Sequence, residues 1–178
     1  GYENPSFLST PGAKDVGIEF YTFSKTFNMA GWRLAFAAGN DQMIEALNLI
    51  QDHLFVGIFP ALQEAGIAAL LDPKSEEAVA QLNATYDSRR DAFVQTAAKI
   101  GWQAFPSKGS FYAWMPVPEG YTSESFADLL LEKAHVAVAP GKGFGPAGDA
   151  YVRIGLLVEP ERLVEAVNRI ADLHLFNN

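Results

Sequence analysis

The chain has 178 residues, 49% hydrophobic and 19% charged, an ordinary globular composition. A net charge of -8 and a pI near 4.8 disfavour a nucleic-acid or anionic-membrane partner, and zero cysteines exclude disulfides and thiolate chemistry. No apolar run reaches the roughly 18 residues of a membrane span. Folding at this size can bury about 70% of the unfolded surface, enough for one domain or two small ones.

Residues 1–15, rich in Gly, Pro, Ser and Thr, read as loop, with Phe7 and Leu8 as anchors. Val16 to Phe23 reads as a strand, and Ile18, Phe20 and Phe23 suggest burial on both faces. Leu34 to Ala38 is a second short apolar strand, ended by Gly39-Asn40. Asp41 is the expected N-cap of a helix carrying Ile44, Leu47 and Ile50. The pattern breaks from Gly57 to Pro60, and Pro60 suits the first turn of a helix with Leu62, Ile67, Leu70 and Leu71. Ser75 is the expected cap of a long helix with Val79, Leu82, Tyr86, Phe93, Ala97 and Ile100 on one face and Gly101 as its stop. About 25 residues span roughly 38 Å, which suits a helix bridging two domains. Gln103 to Phe105 and Ser110 to Met115 form an expected hairpin around Ser107-Lys108-Gly109. Ser123 to Ala134 reads as a helix with Phe126, Leu129 and Leu130 inward, and Val136 to Ala139 as a short strand. Pro140 to Gly148 is a Gly/Pro loop and Tyr151 to Val158 the last strand. Pro160 opens a final helix with Leu163, Val167 and Ile170 on one face. The composition shift at Leu71-Asp72-Pro73 is the expected domain boundary.

The chemistry concentrates between the first two strands. Lys25 lies there with the hydroxyls of Thr22, Ser24 and Thr26 around it and Arg33 eight positions on. A lysine amine can bond covalently to a carbonyl cofactor. Hydroxyls and a planar guanidinium fork suit a phosphate. An amine beside a phosphate cradle is what pyridoxal phosphate (PLP) requires. The string Ser24-Lys25-Thr26-Phe27-Asn28-Met29-Ala30-Gly31-Trp32-Arg33 resembles the lysine motif of class I (fold-type I) PLP-dependent aminotransferases. The resemblance implies that Lys25 binds PLP covalently and acts as the catalytic base, while Thr22 and Arg33 hold the cofactor phosphate; Ser24 is expected at the cofactor too, with support of the turn as its alternative role. Thr22 stands where a serine is commoner in the family, and Ala35 where glycine is frequent.

In Tyr151-Val152-Arg153-Ile154-Gly155-Leu156, Val152, Ile154 and Leu156 share one face and Arg153 the other. Spacing alone makes Arg153 solvent-facing. The likeness of this segment to the family's C-terminal strand implies that Arg153 grips the substrate α-carboxylate. Pro140, Gly141, Phe144 and Gly145 match a Pro-Gly-x-x-Phe-Gly string near the family's active site, implying a loop that helps domain closure. Gly109-Ser110-Phe111-Tyr112-Ala113-Trp114 reads mainly as an aromatic core strand. His53, His135 and His174 lack metal-like spacing, and there is no G-x-S-x-G, so no metal ligand or hydrolase nucleophile is expected.

The resemblance covers nearly the whole chain. It implies an α/β fold: residues 1-72 as the C-terminal part of the large PLP domain, then 73-178 as the α+β small domain. The chain opens on Gly1 and in mid-pattern, which reads as a fragment of a longer protein; the resemblance implies the C-terminal half of such an enzyme, inactive alone. The parent is expected to be a cytoplasmic homodimer acting on amino acids and 2-oxo acids. Asn48-Leu49-Ile50-Gln51-Asp52-His53-Leu54, Ala113-Trp114-Met115-Pro116-Val117-Pro118 and Asp128-Leu129-Leu130-Leu131-Glu132-Lys133-Ala134 resemble bacillary methionine-salvage enzymes that aminate 4-methylthio-2-oxobutanoate. A PLP-dependent C–S β-lyase and a non-catalytic binding or dimerisation module are the alternatives; keto acid, as against ammonia with pyruvate, separates the first from a transaminase.

Overall fold

The computed structural model describes residues 4–105 and 107–176. The chain divides into two compact units, Gly1–Gln81 and Leu82–Asn178.

In the first unit the opening stretch is not all loop. A 3-10 turn, Phe7–Ser9, is capped by Ser6, whose hydroxyl accepts the Leu8 N–H at 3.1 Å. A short helix α1 (Ala13–Val16) follows, so Val16 ends a helix instead of opening a strand. Strands β1 (Ile18–Thr22) and β2 (Ala35–Gly39) pair antiparallel, from Ile18 opposite Gly39 to Thr22 opposite Ala35. Burial of β1 on both faces is not found, since Phe20 is 66% exposed. Phe23 is buried, but it begins the helical turn α2 (Phe23–Thr26), because the Thr22 hydroxyl accepts the Ser24 N–H and ends the strand. Helix α3 (Asp41–Leu54) is capped by Asn40, whose Oδ1 accepts the Met43 N–H at 3.1 Å. Asp41, the expected cap, is already helical, where its charge favours the first turn. Pro60 opens α4 (Pro60–Leu71) as expected. A Cβ on buried Gly66 would lie 2.8 Å from Leu34 Cδ2 and 3.3 Å from Phe23 Cζ, so glycine allows this helix to seat against those two side chains.

Helix α5 (Ser75–Lys99) has 25 residues. Ser75 does not cap it: it is the first helical residue, and its hydroxyl donates to the Ala68 carbonyl at 3.4 Å. On the expected face Phe93 and Ala97 are buried, and Val79, Leu82, Tyr86 and Ile100 are half-buried. Gly101 stops the helix at φ 83, with Trp102 N–H donating to Ala97 C=O at 3.0 Å and Gly101 N–H to Ala98 C=O at 3.1 Å. That pair of bonds needs a left-handed residue, which glycine supplies without strain.

The second unit holds a three-stranded antiparallel sheet. Along the chain come β3 (Tyr112–Pro116), α6 (Ser123–Leu129), β4 (Ala139–Pro140), β5 (Tyr151–Gly155) and α7 (Pro160–Ala171), with β5 central in the order β3-β5-β4. Gln103 to Phe105 forms no strand. Phe105 N–H bonds Trp114 C=O at 2.9 Å, but Ser110 at φ 77 turns the backbone out of the extended form. Thr122 and Ser125 cap α6 reciprocally, and a π-helical turn, Leu130–Ala134, completes it. The expected Val136 to Ala139 strand shrinks to β4, because Val136 N–H turns back to Leu130 C=O at 3.1 Å. The Pro140 to Gly148 loop is two 3-10 turns, Gly141–Phe144 and Pro146–Ala150. The last strand ends at Gly155, three residues earlier than expected. Val152 and Ile154 on β5 and Met115 on β3 pack with Phe93, Trp102, Phe126, Leu163, Val167 and Ile170 into the core. Trp102 satisfies its indole N–H on the Pro116 carbonyl at 2.7 Å. Among the described residues no helix is long and apolar enough to cross a membrane.

Candidate active site

The lysine loop is closed at its base. Phe23 N–H donates to Leu34 C=O at 3.1 Å, so the ends of the excursion from residue 23 to 34 are tied together. Thr22, Ser24 and Arg33 are therefore sequence neighbours of the two tied ends. The Thr22 hydroxyl lies 2.9 Å from Ser24 Oγ and accepts the Ser24 N–H at 3.2 Å. Arg33 is not a strand residue. It sits after the 3-10 turn Ala30–Trp32 at φ 52, ψ 44, and its Nη1 donates to the Ala30 carbonyl at 3.0 Å. A left-handed backbone is uncommon for arginine and holds the side chain off the line of β2. Lys25 lies on the helical turn α2 and is exposed, as are Thr22 and Arg33. Beneath the loop, Tyr21 stacks on Phe36 at 5.2 Å between centroids and Phe23 meets Phe36 at 5.8 Å. Tyr21 also donates its hydroxyl to Thr26 Oγ1 at 2.7 Å. One primary amine, two hydroxyls and a guanidinium on a loop braced by rings form a donor set that fits a phosphorylated aldehyde such as PLP.

Arg153 lies in the second unit, at the middle of β5. Its Cα faces Trp114 on β3 and Ala139 on β4. Its neighbours Val152 and Ile154 are buried on the opposite face, while Arg153 is half-buried. The guanidinium carbon lies 4.1 Å from the centroid of the Tyr112 ring and 4.2 Å from that of Phe144. Among the described residues no carboxylate pairs with it. Trp114 stacks on Tyr151 at 5.5 Å and meets Phe144 edge-on at 5.9 Å. A cation set among aromatic rings with no acid of its own suits a ligand that brings a carboxylate and an apolar side chain.

The turn carrying Phe144 is anchored from below. Ser123 is fully buried and donates both its hydroxyl, at 2.8 Å, and its N–H, at 3.2 Å, to Asp149 Oδ1. The same hydroxyl accepts the Lys142 N–H at 3.3 Å. The Ser123 hydroxyl, then its N–H and the charge of Lys142, hold the Asp149 carboxyl below the usual carboxylate range. Glu124 pairs with Lys142 Nζ at 2.6 Å and raises that ammonium above its ordinary value.

Residues 3–170 match the family model described as aminotransferase class I and II. The chain belongs to this aminotransferase family. It is 60% identical over 171 residues to the L-glutamine–4-(methylsulfanyl)-2-oxobutanoate aminotransferase of Bacillus subtilis, covering 96% of this chain and 42% of that protein. It is 49% identical to the LL-diaminopimelate aminotransferase of Moorella thermoacetica, covering 96% of this chain and 43% of the relative. Among solved structures, apo-BacF from Bacillus subtilis superimposes with a TM-score of 0.91 at 47% identity, covering 97% of this chain and 44% of that one. The chain thus spans less than half the length of the relatives it matches.

The setting of Arg153 differs from the one expected from the sequence. Tyr112 was assigned to a core strand and Phe144 to a closing loop, yet both rings lie against Arg153. The alternation of β3, with Ala113 and Met115 buried, was a legible signal that Tyr112 and Trp114 share the opposite face. No sequence signal joined Ser123 to Asp149, which are 26 residues apart.

Proposed function

We propose that this chain is the lysine-bearing part of a PLP-dependent aminotransferase that moves an amino group between an amino acid and a 2-oxo acid. The support for the reading is a loop tied at Phe23 and Leu34 that carries Ser24, Lys25 and Arg33 next to Thr22, in a chain 60% identical to an L-glutamine–4-(methylsulfanyl)-2-oxobutanoate aminotransferase. Thr22, Ser24 and Arg33 hold the cofactor phosphate, and Lys25 holds its aldehyde carbon. When bound, PLP supplies the electron sink that lets the substrate Cα give up its proton. Lys25 Nζ, freed when the substrate amine replaces it, would take that proton from Cα and deliver it to the carbon it had held. Arg153 binds the α-carboxylate, and the rings about it exclude water and favour unbranched apolar or thioether side chains. The acceptor proposed is 4-methylthio-2-oxobutanoate and the donor glutamine, as in the name of the Bacillus relative.

In this reading the matched part of the relatives is their C-terminal half. Residues 1-72 belong to the large PLP domain and 73-178 form the small one, and the whole enzyme is a cytoplasmic homodimer. The test is a screen of 2-oxo acids with the full-length enzyme and L-glutamine. Methionine formed from 4-methylthio-2-oxobutanoate is expected. Preference for a dicarboxylic acceptor overturns the substrate, and release of ammonia, pyruvate and a thiol from an added cysteine thioether, with no amino transfer from glutamine, overturns the activity.

A further inference from the structure

The guanidinium of Arg153 is held by rings, not by acids. Among the described residues it makes no hydrogen bond or ion pair, and its contacts are the faces of Tyr112 at 4.1 Å and Phe144 at 4.2 Å. These two rings make no contact with each other, so they reach the cation from different directions. A guanidinium flanked this way keeps its faces covered while its N–H edge stays open. An acid in the same place would occupy that edge and compete with any incoming carboxylate.

We propose that Tyr112 and Phe144 are the positioning residues that hold Arg153 in plane for a two-pronged bond to the substrate carboxylate. The inference rests on the reading of Arg153 given above. The two rings come from different scaffolds. Tyr112 is fixed by β3, whose register with β5 sets Tyr112 opposite Gly155 and Trp114 opposite Arg153. Phe144 is 53% exposed, so its edge contact with Trp114 holds it only in part and its turn does the rest. A Cβ on Gly148 would lie 2.6 Å from the Gly141 carbonyl carbon and nearer still to its oxygen, so the two ends of that turn touch backbone to backbone. The buried Ser123 hydroxyl and Asp149 then fasten the turn to α6. Phe144 is therefore delivered to Arg153 by backbone geometry, and the aromatic ring is the part that acts.

The test compares Phe144→Leu, Tyr112→Leu and Arg153→Lys in the full-length enzyme, using the fastest donor from a panel of amino acids, since every such donor carries the same α-carboxylate. Each ring removal is expected to raise KM roughly 2- to 30-fold with kcat within about 2-fold, the range that cation–π contacts span. Phe144→Tyr should restore the parent KM. In an Arg153→Lys background, Phe144→Leu should lose most of its effect, because a lysine has no plane to align. A purely structural role would instead lower thermal stability and leave KM unchanged. If both Leu variants keep the parent KM while Arg153→Ala raises it by 30-fold or more, the positioning role falls and the carboxylate reading stands. If Arg153→Ala also keeps the parent KM, or no amino acid turns over, both fall.

Discussion

Replacing Gly148 with alanine should damage the second unit far more than loss of a surface glycine normally does. Neither Gly148 nor Gly141 has a positive φ, so alanine is allowed by the backbone and only space is at issue. The added Cβ would sit 2.6 Å from the Gly141 carbonyl carbon, where ordinary contact begins at 3.4 Å, a shortfall of about 0.8 Å. The obstacle is main chain and cannot rotate away, so the ends of the turn must part. Parting them pulls Asp149 and Lys142 from Ser123, whose hydroxyl is fully buried. A buried hydroxyl left without a partner costs about 1–3 kcal/mol, and overpacking of this kind about another 1–3 kcal/mol. A loss of roughly 2–6 kcal/mol is a large share of the 5–15 kcal/mol that stabilises a typical domain. Urea denaturation followed by tryptophan fluorescence measures it, since Trp102 lies in the core of this unit. Gly143→Ala is the control, because a Cβ there meets nothing within 4 Å. A Gly148→Ala midpoint as close to wild type as that of Gly143→Ala would show that the turn is not clamped and would refute the reasoning.

Lys25→Ala should abolish transamination by the full-length enzyme and remove the PLP adduct fixed by borohydride reduction; an adduct and turnover that persist would assign the chemistry to another lysine. The 178-residue chain alone should show no transamination and only scattered PLP labelling, and stoichiometric labelling confined to Lys25 with turnover would overturn this. Asp149 has a folded pKa below its unfolded value, so its contribution is fully present above about pH 4 and is lost as pH falls through the depressed folded value. The stability gap between wild type and Asp149→Asn should therefore be constant from pH 5 to 8 and close below about pH 4, and a gap that widens on acidification would contradict the hydrogen-bond assignment.

Elements with a strong local cause were legible. Pro60 and Pro160 open helices because they fit the first turn, Gly101 ends α5 because it can turn left-handed, and Leu163, Val167 and Ile170 bury together on α7. Errors fell where a local polar group outcompeted a pattern. Thr22 stops β1 one residue before Phe23, Asn40 takes the cap expected of Asp41, and Val136 bonds back into a helix end. For the candidate site, Lys25 and Arg33 stood out through their residue types and spacing, but the conformation at Arg33 did not. Nothing in the residues around it demands a left-handed backbone. The rings at Arg153 were hidden for a different reason: Phe144 reaches it through a turn whose shape depends on Gly141 and Gly148 meeting, a contact between residues seven apart.

The two units spend their apolar residues differently, and this bears on how the lysine loop is supported. The main buried cluster lies wholly in the second unit. In the first unit Phe23, Leu34, Ala13 and Gly66 are buried, whereas Phe20, Leu49, Leu54, Phe55 and Val56 are exposed. Helices α3 and α4 carry the apolar residues expected of packed helices, yet Ile50, Ile67, Leu70 and Leu71 remain open to solvent. Monomeric soluble proteins rarely leave so many large apolar side chains uncovered in one region. Periodicity records that a face was selected for burial and is silent on what buries it. The same holds for β1, whose apolar residues predicted a strand covered on both sides. If the unit belongs to the large domain of an enzyme about twice as long, those faces are the ones the remainder covers. The loop bearing Lys25 would then owe its rigidity to more than the Phe23, Leu34 and Gly66 contacts beneath it.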